Sequence, residues 1–286
     1  MHKFNVNFEN SDIVLVKDRD MACKNINIQI SFMACKPRNN FYKYLIILNY
    51  LMFKFEKLVI GDAGWGDEFL IATLMTLLVS ILSMGLGLFL AIITVWAKII
   101  QNRITRFIAN FYTTVIRGVP ELLVIYLIFF GGNAVVMSIA KVFGYNKYIE
   151  LNALTIATIA IAVISATYSS EVLRASYLAI SKGQIEAARA LGMNKFSIFF
   201  KVISPQVIRH ALPGIGNVWQ ITLKDTSLIS VTGLVEIMRQ SRISSNVEHS
   251  PLTFLITAAI LYLCLTTISG RVFKTLEVNY SKGFST

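Results

Sequence analysis

Three ionisable residues, Glu171, Lys224 and Asp225, interrupt or border apolar stretches of the chain. A charged side chain at membrane depth costs at least ~2.5 kcal/mol on insertion scales, so charges that remain there usually pair or line a polar path. Lys224 and Asp225 fall within such a stretch, and an interrupted span commonly borders a cavity. We therefore predict that both line a translocation pathway or gate. For Glu171, a pathway role and an ion pair with Arg174 at the end of its helix are equal alternatives.

A second pair of charges stands beside a proline. Arg117 and Glu121 have the i to i+4 spacing that brings side chains together on one helix face. Pro120 predicts a kink there, because proline lacks a backbone donor and clashes with the preceding turn. We interpret Arg117, Pro120 and Glu121 as a structural element, with a gating hinge as the alternative.

The sequence lacks the motifs of common enzyme chemistries. No GxxxxGK followed by serine or threonine occurs, so the chain is not expected to bind and hydrolyse ATP by itself. Neither HExxH nor GxSxG occurs, which argues against the simplest membrane hydrolases. Cys23, Cys35 and Cys264 lack metal-ligand spacing. We expect no catalytic residue, no metal and no bound cofactor in this chain.

Membrane helices must position these residues. Of the 286 residues, 55% are hydrophobic and only 15% are charged, which is too apolar a balance for a soluble domain. A bilayer core about 30 Å thick takes about 20 apolar residues as a helix, and a helix satisfies its own backbone groups in lipid. Five spans are predicted: 69–97, 107–131, 151–170, a stretch that begins near Ile208 and is interrupted at Lys224 and Asp225, and 251–270. The small residues Gly85 and Gly87 in the first span would let a neighbouring helix approach closely.

The net charge of +11 comes from basic residues that flank these spans rather than from one dense stripe. The pattern predicts contact with lipid and excludes nucleic acid as the expected partner. Basic residues favour cytoplasmic loops, and they follow the first span and fill the segment between spans three and four. The first span should thus begin on the external side of the membrane, with segment 181–205 and the carboxyl end in the cytoplasm. This orientation leaves Arg239 and Arg242 on the external side, contrary to the preference of basic residues for cytoplasmic loops.

Residues 1–60 form an unplaced amino-terminal segment. Residues 1–40 are polar, with acidic residues too early for a secretory signal peptide. The stretch 41–60 is apolar but carries four charged residues, so an interfacial amphipathic segment is favoured over a span.

The segment between spans three and four has the signals of two short helices. Ser181 and Gln184 have the spacing of a capping box, which predicts a helix start. Gly192 suits the left-handed residue that ends a helix, and a second helix is expected from Lys195 toward Pro205. The alanines of the first helix, Ala187, Ala188 and Ala190, give it a low-relief face that could lie in a groove of another protein. A simple capped loop between two spans explains the same spacing equally well.

The sequence GQIEAARALG begins at Gly183 and includes Glu186, Ala187, Ala188 and Gly192, with Pro205 further on. It resembles the EAA motif of ATP-binding-cassette (ABC) importer permeases. In that family the motif forms the coupling helix that docks on the cytoplasmic ATPase subunit. The resemblance therefore implies an ATPase-coupling role for these six residues.

Two further segments extend the resemblance over about residues 69–271. FYTTVIRGVPELLVIYLIFFG, residues 111–131, is similar to the Arg-Gly-x-Pro segment of the polar amino-acid permeases. RHALPGIGNVWQITLKDTSLIS, residues 209–230, resembles most the basic amino-acid branch, which comprises the histidine/lysine/arginine/ornithine, arginine and opine importers.

The resemblance implies an all-α membrane protein, with an ABC type-1 transmembrane domain at 69–271, five core transmembrane helices, a cytoplasmic coupling helix and a cytoplasmic tail at 272–286. The implied partners are two ABC ATPase subunits that bind ATP with Mg, a second permease subunit in a heterodimer, and an external amino-acid-binding protein. A bacterial inner-membrane location follows. For a basic amino acid as solute, we expect a carboxylate of Glu171 or Asp225 to assist its passage.

Two other functions explain some of these features. An ion-coupled secondary carrier or gated channel would also need buried charges, but it predicts inverted repeats that the sequence does not show. A membrane enzyme could use Glu171 and Asp225 as acid and base, but no nucleophile or metal cluster accompanies them in the sequence.

Overall fold

The computed structural model describes residues 56–61, 64–100, 102–142, 144 and 152–281, and the regular structure within them is helical. The described residues do not include the predicted polar segment 1–40, which contains Cys23 and Cys35. Of the predicted interfacial segment 41–60, they include only residues 56–60. A short 3-10 turn, Glu56–Leu58, precedes the helices. The α-helices are α1 Gly66–Ile99, α2 Arg103–Gly118, α3 Glu121–Val142, α4 Ala153–Leu178, α5 Lys182–Ala190, α6 Lys195–Ile198, α7 Ser204–Asp225, α8 Ile237–Glu248 and α9 Pro251–Ser281.

Four of the described helices, α1, α3, α4 and α9, are long and apolar enough to cross a membrane. The fourth predicted span is α7, whose 22 residues extend about 33 Å at 1.5 Å per residue. It is more polar than the others because it carries charges near both ends. It stops at Asp225, which confirms the predicted interruption. Helix α9 continues to Ser281, so the expected tail from residue 272 begins as helix.

The second predicted span, 107–131, is broken rather than merely kinked. Helix α2 ends at Gly118, and Val119 is extended with φ −108° and ψ 142° before α3 begins at Glu121. Pro120 causes the break, because it has no amide donor and disfavours helical geometry in the residue before it. Its carbonyl instead starts α3 by accepting bonds from Leu123 N at 2.9 Å and Val124 N at 3.2 Å.

Helices α1 and α4 form the tight centre of the described fold, and small residues permit their approach. Residue Gly87 lies against α4, where an added Cβ would stand 2.1 Å from Ser165 Oγ and 3.1 Å from the Ala162 carbonyl oxygen. Gly85 is exposed and meets nothing within 4 Å. The predicted close approach is thus confirmed at Gly87 and wrong at Gly85, because residues two apart on a helix point about 200° apart.

After Asp225 the chain turns back along the beginning of α1. A 3-10 segment, Thr226–Thr232, leads to α8. The amide of Ile237 at the start of α8 donates to Thr76 Oγ1 at 3.3 Å, and the indole of Trp65 donates to Glu248 Oε1 at 3.3 Å near its end. The polar helix α8 therefore lies beside the first turns of α1, and it carries Arg239 and Arg242.

Candidate functional site

Four side chains from four helices meet where the second span is broken. Arg117 comes from the last turn of α2, Glu121 begins α3, Tyr168 lies on α4, and Asp225 ends α7. The Tyr168 hydroxyl donates to Glu121 Oε1 at 2.9 Å, and the Asp225 carboxyl lies beside that of Glu121. Together, Arg117, Glu121, Tyr168 and Asp225 form what is called the charged cluster below.

The break before α3 determines the contacts of Arg117. Its Cζ lies 5.7 Å from the centroid of the Tyr168 ring, within the range of a cation–π contact. No ion pair among the described residues involves Arg117. The predicted i to i+4 pair with Glu121 is therefore wrong, because Val119 and Pro120 are not helical and the spacing rule applies only within a continuous helix.

The two carboxyl groups of the charged cluster can accept a cation. Asp225 is only 8% exposed, while Glu121 is partly exposed. Adjacent carboxylates repel strongly where the dielectric is low, and a cation or a proton between them removes that repulsion. Lys224 is exposed and forms no ion pair with Asp225 in the described part of the chain. Of the two predicted pathway residues on α7, only Asp225 joins the cluster.

Glu171 is bound in a separate ion-pair network one turn further along α4. Its carboxylate pairs with Lys98 of α1 and with Arg174, whose Nε lies 3.4 Å from Glu171 Oε2. The buried Lys98 ammonium also donates to Thr113 Oγ1 at 2.8 Å. The contact with Arg174 is one of the two alternatives predicted for Glu171, and these contacts favour a structural role that ties α1, α2 and α4 together.

Sequence reasoning missed Tyr168 and Lys98. Tyr168 stands in an apolar stretch with no spacing relation to Glu121, and Lys98 has the appearance of an ordinary basic residue after a span. Tyr168 bonds Glu121, which is 47 positions away in the chain, and Lys98 bonds Glu171, which is 73 positions away. No local pattern in the sequence carries that information.

The predicted coupling loop forms two short helices as expected. Helix α5 begins at Lys182 after Ser181, although the Ser181 side chain makes no capping bond. The side chain of Gln184 instead accepts a hydrogen bond from Gln206 Nε2 at 2.8 Å. The capping box is thus wrong in its side-chain bonds but right about the helix start.

The end of α5 follows the prediction. Gly192 has φ +74°, the left-handed conformation that glycine adopts without a steric penalty. The Met193 amide donates to the Ala188 carbonyl at 3.1 Å, and the Gly192 amide donates to the Arg189 carbonyl at 2.9 Å, which is a Schellman ending. Helix α6 begins at Lys195 as predicted and passes through a π-helical turn, Phe199–Ile203, into α7, so Pro205 lies in the first turn of α7.

The side chains of α5 divide between an inner and an outer face. Ala188 is 5% exposed and packs in a cluster with Ile180, Ile198 and Ile203. It therefore belongs to the core of the loop, and the prediction that its side chain presents the smooth outer face is wrong. Gly183, Glu186 and Ala187 are exposed. Leu191, at the end of the helix, is 81% exposed.

Comparison with known proteins identifies the family of the chain and two of its relatives. Residues 83–280 match the family described as "Binding-protein-dependent transport system inner membrane component". The chain is 46% identical over 224 residues to the nopaline transport system permease protein of Agrobacterium fabrum, covering 78% of this chain and 95% of that protein. It is 34% identical over 220 residues to the histidine/lysine/arginine/ornithine transport system permease protein of Escherichia coli, covering 77% and 96%.

A solved structure agrees with this assignment. The crystal structure of an amino acid ABC transporter with histidines superposes with a TM-score of 0.65 at 29% identity, covering 75% of this chain and 95% of that one. The described helices have the fold of that transporter's membrane subunit. The chain belongs to the binding-protein-dependent transport system inner membrane component family, as a multi-pass permease subunit of the bacterial inner membrane.

Proposed function

We propose that this permease carries basic amino acids or opines into the cell, and that Glu121 and Asp225 receive the cationic part of the solute. The names of the relatives support the solute class. The nearness of the Glu121 and Asp225 carboxyl groups supports the site, because guanidinium and ammonium groups form strong hydrogen bonds with carboxylates. Glu121 thereby takes the place that the sequence assigned to Glu171.

A double variant, Glu121→Gln with Asp225→Asn, tests the cation site. The amides keep the size and the hydrogen-bonding capacity of the carboxyl groups but remove their charge. We expect ATP-dependent uptake of radiolabelled arginine to fall about 100-fold, because a hydrogen bond to a charged group contributes about 1.5–3 kcal/mol. Uptake is measured in cells that express the complete transporter and lack other arginine uptake.

Glu68→Gln is the matched control, since Glu68 is exposed in the first turn of α1. Membrane content of each variant is measured by immunoblot. Normal arginine uptake by the double variant at normal membrane content would show that these carboxylates do not receive the solute.

The proposal assigns the coupling of transport to the loop between α4 and α7. An ABC ATPase, present as two subunits with ATP and Mg, binds the outer face of α5, and a second permease subunit and an external binding protein complete the transporter. Three observations support this: the exposed Glu186 and Ala187, the strongly exposed Leu191, and the hydrogen-bonded ending of α5 at Gly192. An exposed leucine on an ordered loop is suited to a pocket of a partner.

Leu191→Asp tests the coupling loop. We expect this variant to reduce copurification of the ATPase at least about 10-fold, since a desolvated apolar anchor contributes about 2 kcal/mol or more to an interface. The melting temperature of the isolated permease should not change, because Leu191 has few contacts within its own chain. Ala188→Trp provides the contrast: it overfills the cluster around Ile198 and should lower both quantities. Unchanged ATPase binding by Leu191→Asp contradicts the assignment.

A further inference from the structure

One exposed face of α2 carries polar side chains where a lipid-facing helix would be apolar. Asn110, Thr114 and Arg117 are all exposed and lie within about 60° of one another around the helix axis. Phe111 and Ile108 lie on a different exposed face, about 100° and 160° around the axis from Asn110. Polar side chains at membrane depth are directed to water or protein rather than to lipid. A polar stripe therefore leads along α2 to Arg117.

The Arg117 guanidinium at the end of this stripe has an aromatic partner and, within the described part of the chain, no carboxylate partner. It stands 5.7 Å from the centre of the Tyr168 ring, and the described ion pairs do not include it. A cation–π contact uses none of the guanidinium N–H groups as hydrogen-bond donors to a carboxylate, so they remain available to a ligand. Those N–H groups have the planar fork geometry that binds carboxylates in pairs of hydrogen bonds.

The two ends of the charged cluster have opposite charge, and Tyr168 lies between them. Its hydroxyl bonds Glu121, which contacts Asp225, and its ring carries Arg117. A solute with a positive group at one end and a carboxylate at the other matches both. A decarboxylated amine matches only the acidic end.

We propose that Arg117 binds the carboxylate of the solute and so makes the permease select basic amino acids over the corresponding amines. This inference rests on the proposed function, in which Glu121 and Asp225 receive the cation. Arg117 thus supplies the specificity for the amino-acid end of the molecule. The loss of its two hydrogen bonds to a carboxylate should weaken binding of the amino acid about 10- to 100-fold.

Binding of arginine and of agmatine, its decarboxylated form, tests the inference. Both are measured as radiolabelled ligands on the purified permease with its partner permease and ATPase, without the external binding protein, so that selection by that protein does not contribute. We expect the unmodified complex to prefer arginine at least about 10-fold. Arg117→Gln should lower arginine affinity and leave agmatine affinity unchanged or higher, and Arg117→Lys should restore part of the preference.

Arg103→Gln is the matched control, since Arg103 is exposed at the other end of α2 and its loss should change neither ligand. Equal weakening of both ligands by Arg117→Gln, or equal affinity of the unmodified complex for both, overturns the role of Arg117. Failure of the acidic site has a different signature: the double variant Glu121→Gln with Asp225→Asn would then bind both ligands normally. The two proposals can therefore fail separately.

Discussion

Replacement of Gly87 by valine is expected to remove most of the folded permease from the membrane. The position has no room for a side chain, because even a Cβ would stand 2.1 Å from Ser165 Oγ and 3.1 Å from the backbone oxygen of Ala162. The serine is buried and the carbonyl belongs to α4, so α1 and α4 would have to separate. Overpacking of a core by one methylene costs about 1–3 kcal/mol, and valine adds three carbons, out of a total stability of about 5–15 kcal/mol.

Gly85→Val is the matched control for this prediction. It introduces the same side chain two residues away in the same helix, at a position that is exposed and open. We expect it to leave membrane content and melting temperature close to those of the unmodified protein. Fluorescence-detected size-exclusion chromatography of both variants, with heating, measures the difference. Equal behaviour of the two variants would show that the α1–α4 contact is looser than described.

The contrast between these glycines shows what the sequence could predict. A small residue in an apolar span predicts that some helix comes close, and this is correct for Gly87. Which glycine faces the neighbour depends on the rotation of α1 about its axis, and the packing of the whole domain sets that rotation. The sequence therefore predicted the contact but not the side of the helix that makes it.

Local signals predicted local structure well. The start of α5, the left-handed Gly192 and the end of α7 at Asp225 all follow from backbone preferences or charges that act within a few residues. The predicted pair of Arg117 and Glu121 failed for a local reason too, since Pro120 interrupts the helix that the spacing assumed.

The chemistry of the site was harder to predict, because it depends on contacts between distant segments. Tyr168 bonds Glu121, and Lys98 bonds Glu171. A charged residue in a span shows that a partner exists, but its identity depends on which helices are neighbours. Asp225 was therefore found from the sequence as a pathway residue. Its neighbour Glu121 was instead predicted to pair with Arg117, which is wrong.

Glu236 is another buried charged residue whose partners could not be predicted from the sequence. It holds the start of α8 in place. It is 1% exposed, and its carboxylate accepts hydrogen bonds from the amides of Met238 at 2.8 Å and Arg239 at 2.7 Å. The hydroxyl of Tyr262 on α9 donates to it at 2.8 Å and lies 3.3 Å from the hydroxyl of Thr226, the residue after Asp225. Glu236 thereby connects α8, α9 and the segment that follows the charged cluster.

Glu236→Ala is expected to destabilise the part of the fold around α8 and α9 and to abolish transport. The change removes the N-cap bonds to the amides of Met238 and Arg239, which contribute about 1 kcal/mol. It also removes the bond that the Tyr262 hydroxyl donates to the carboxylate, and a hydrogen bond to a charged group contributes about 1.5–3 kcal/mol. The sum is a large part of the stability of a domain. The melting temperature of the purified permease and arginine uptake by the complete transporter measure the loss.

Glu236→Gln separates the hydrogen bonds from the charge. Its amide oxygen can still accept bonds from Met238 and Arg239, so we expect most of the stability to return. Tyr262→Phe removes only the link to α9 and Thr226, and it should cost less stability than Glu236→Ala while still slowing transport, because Thr226 then loses its tie to α8. If Glu236→Ala melts like the unmodified protein, the buried carboxylate does not anchor α8, and other contacts, such as those with Thr76 and Ser230, must hold the start of that helix.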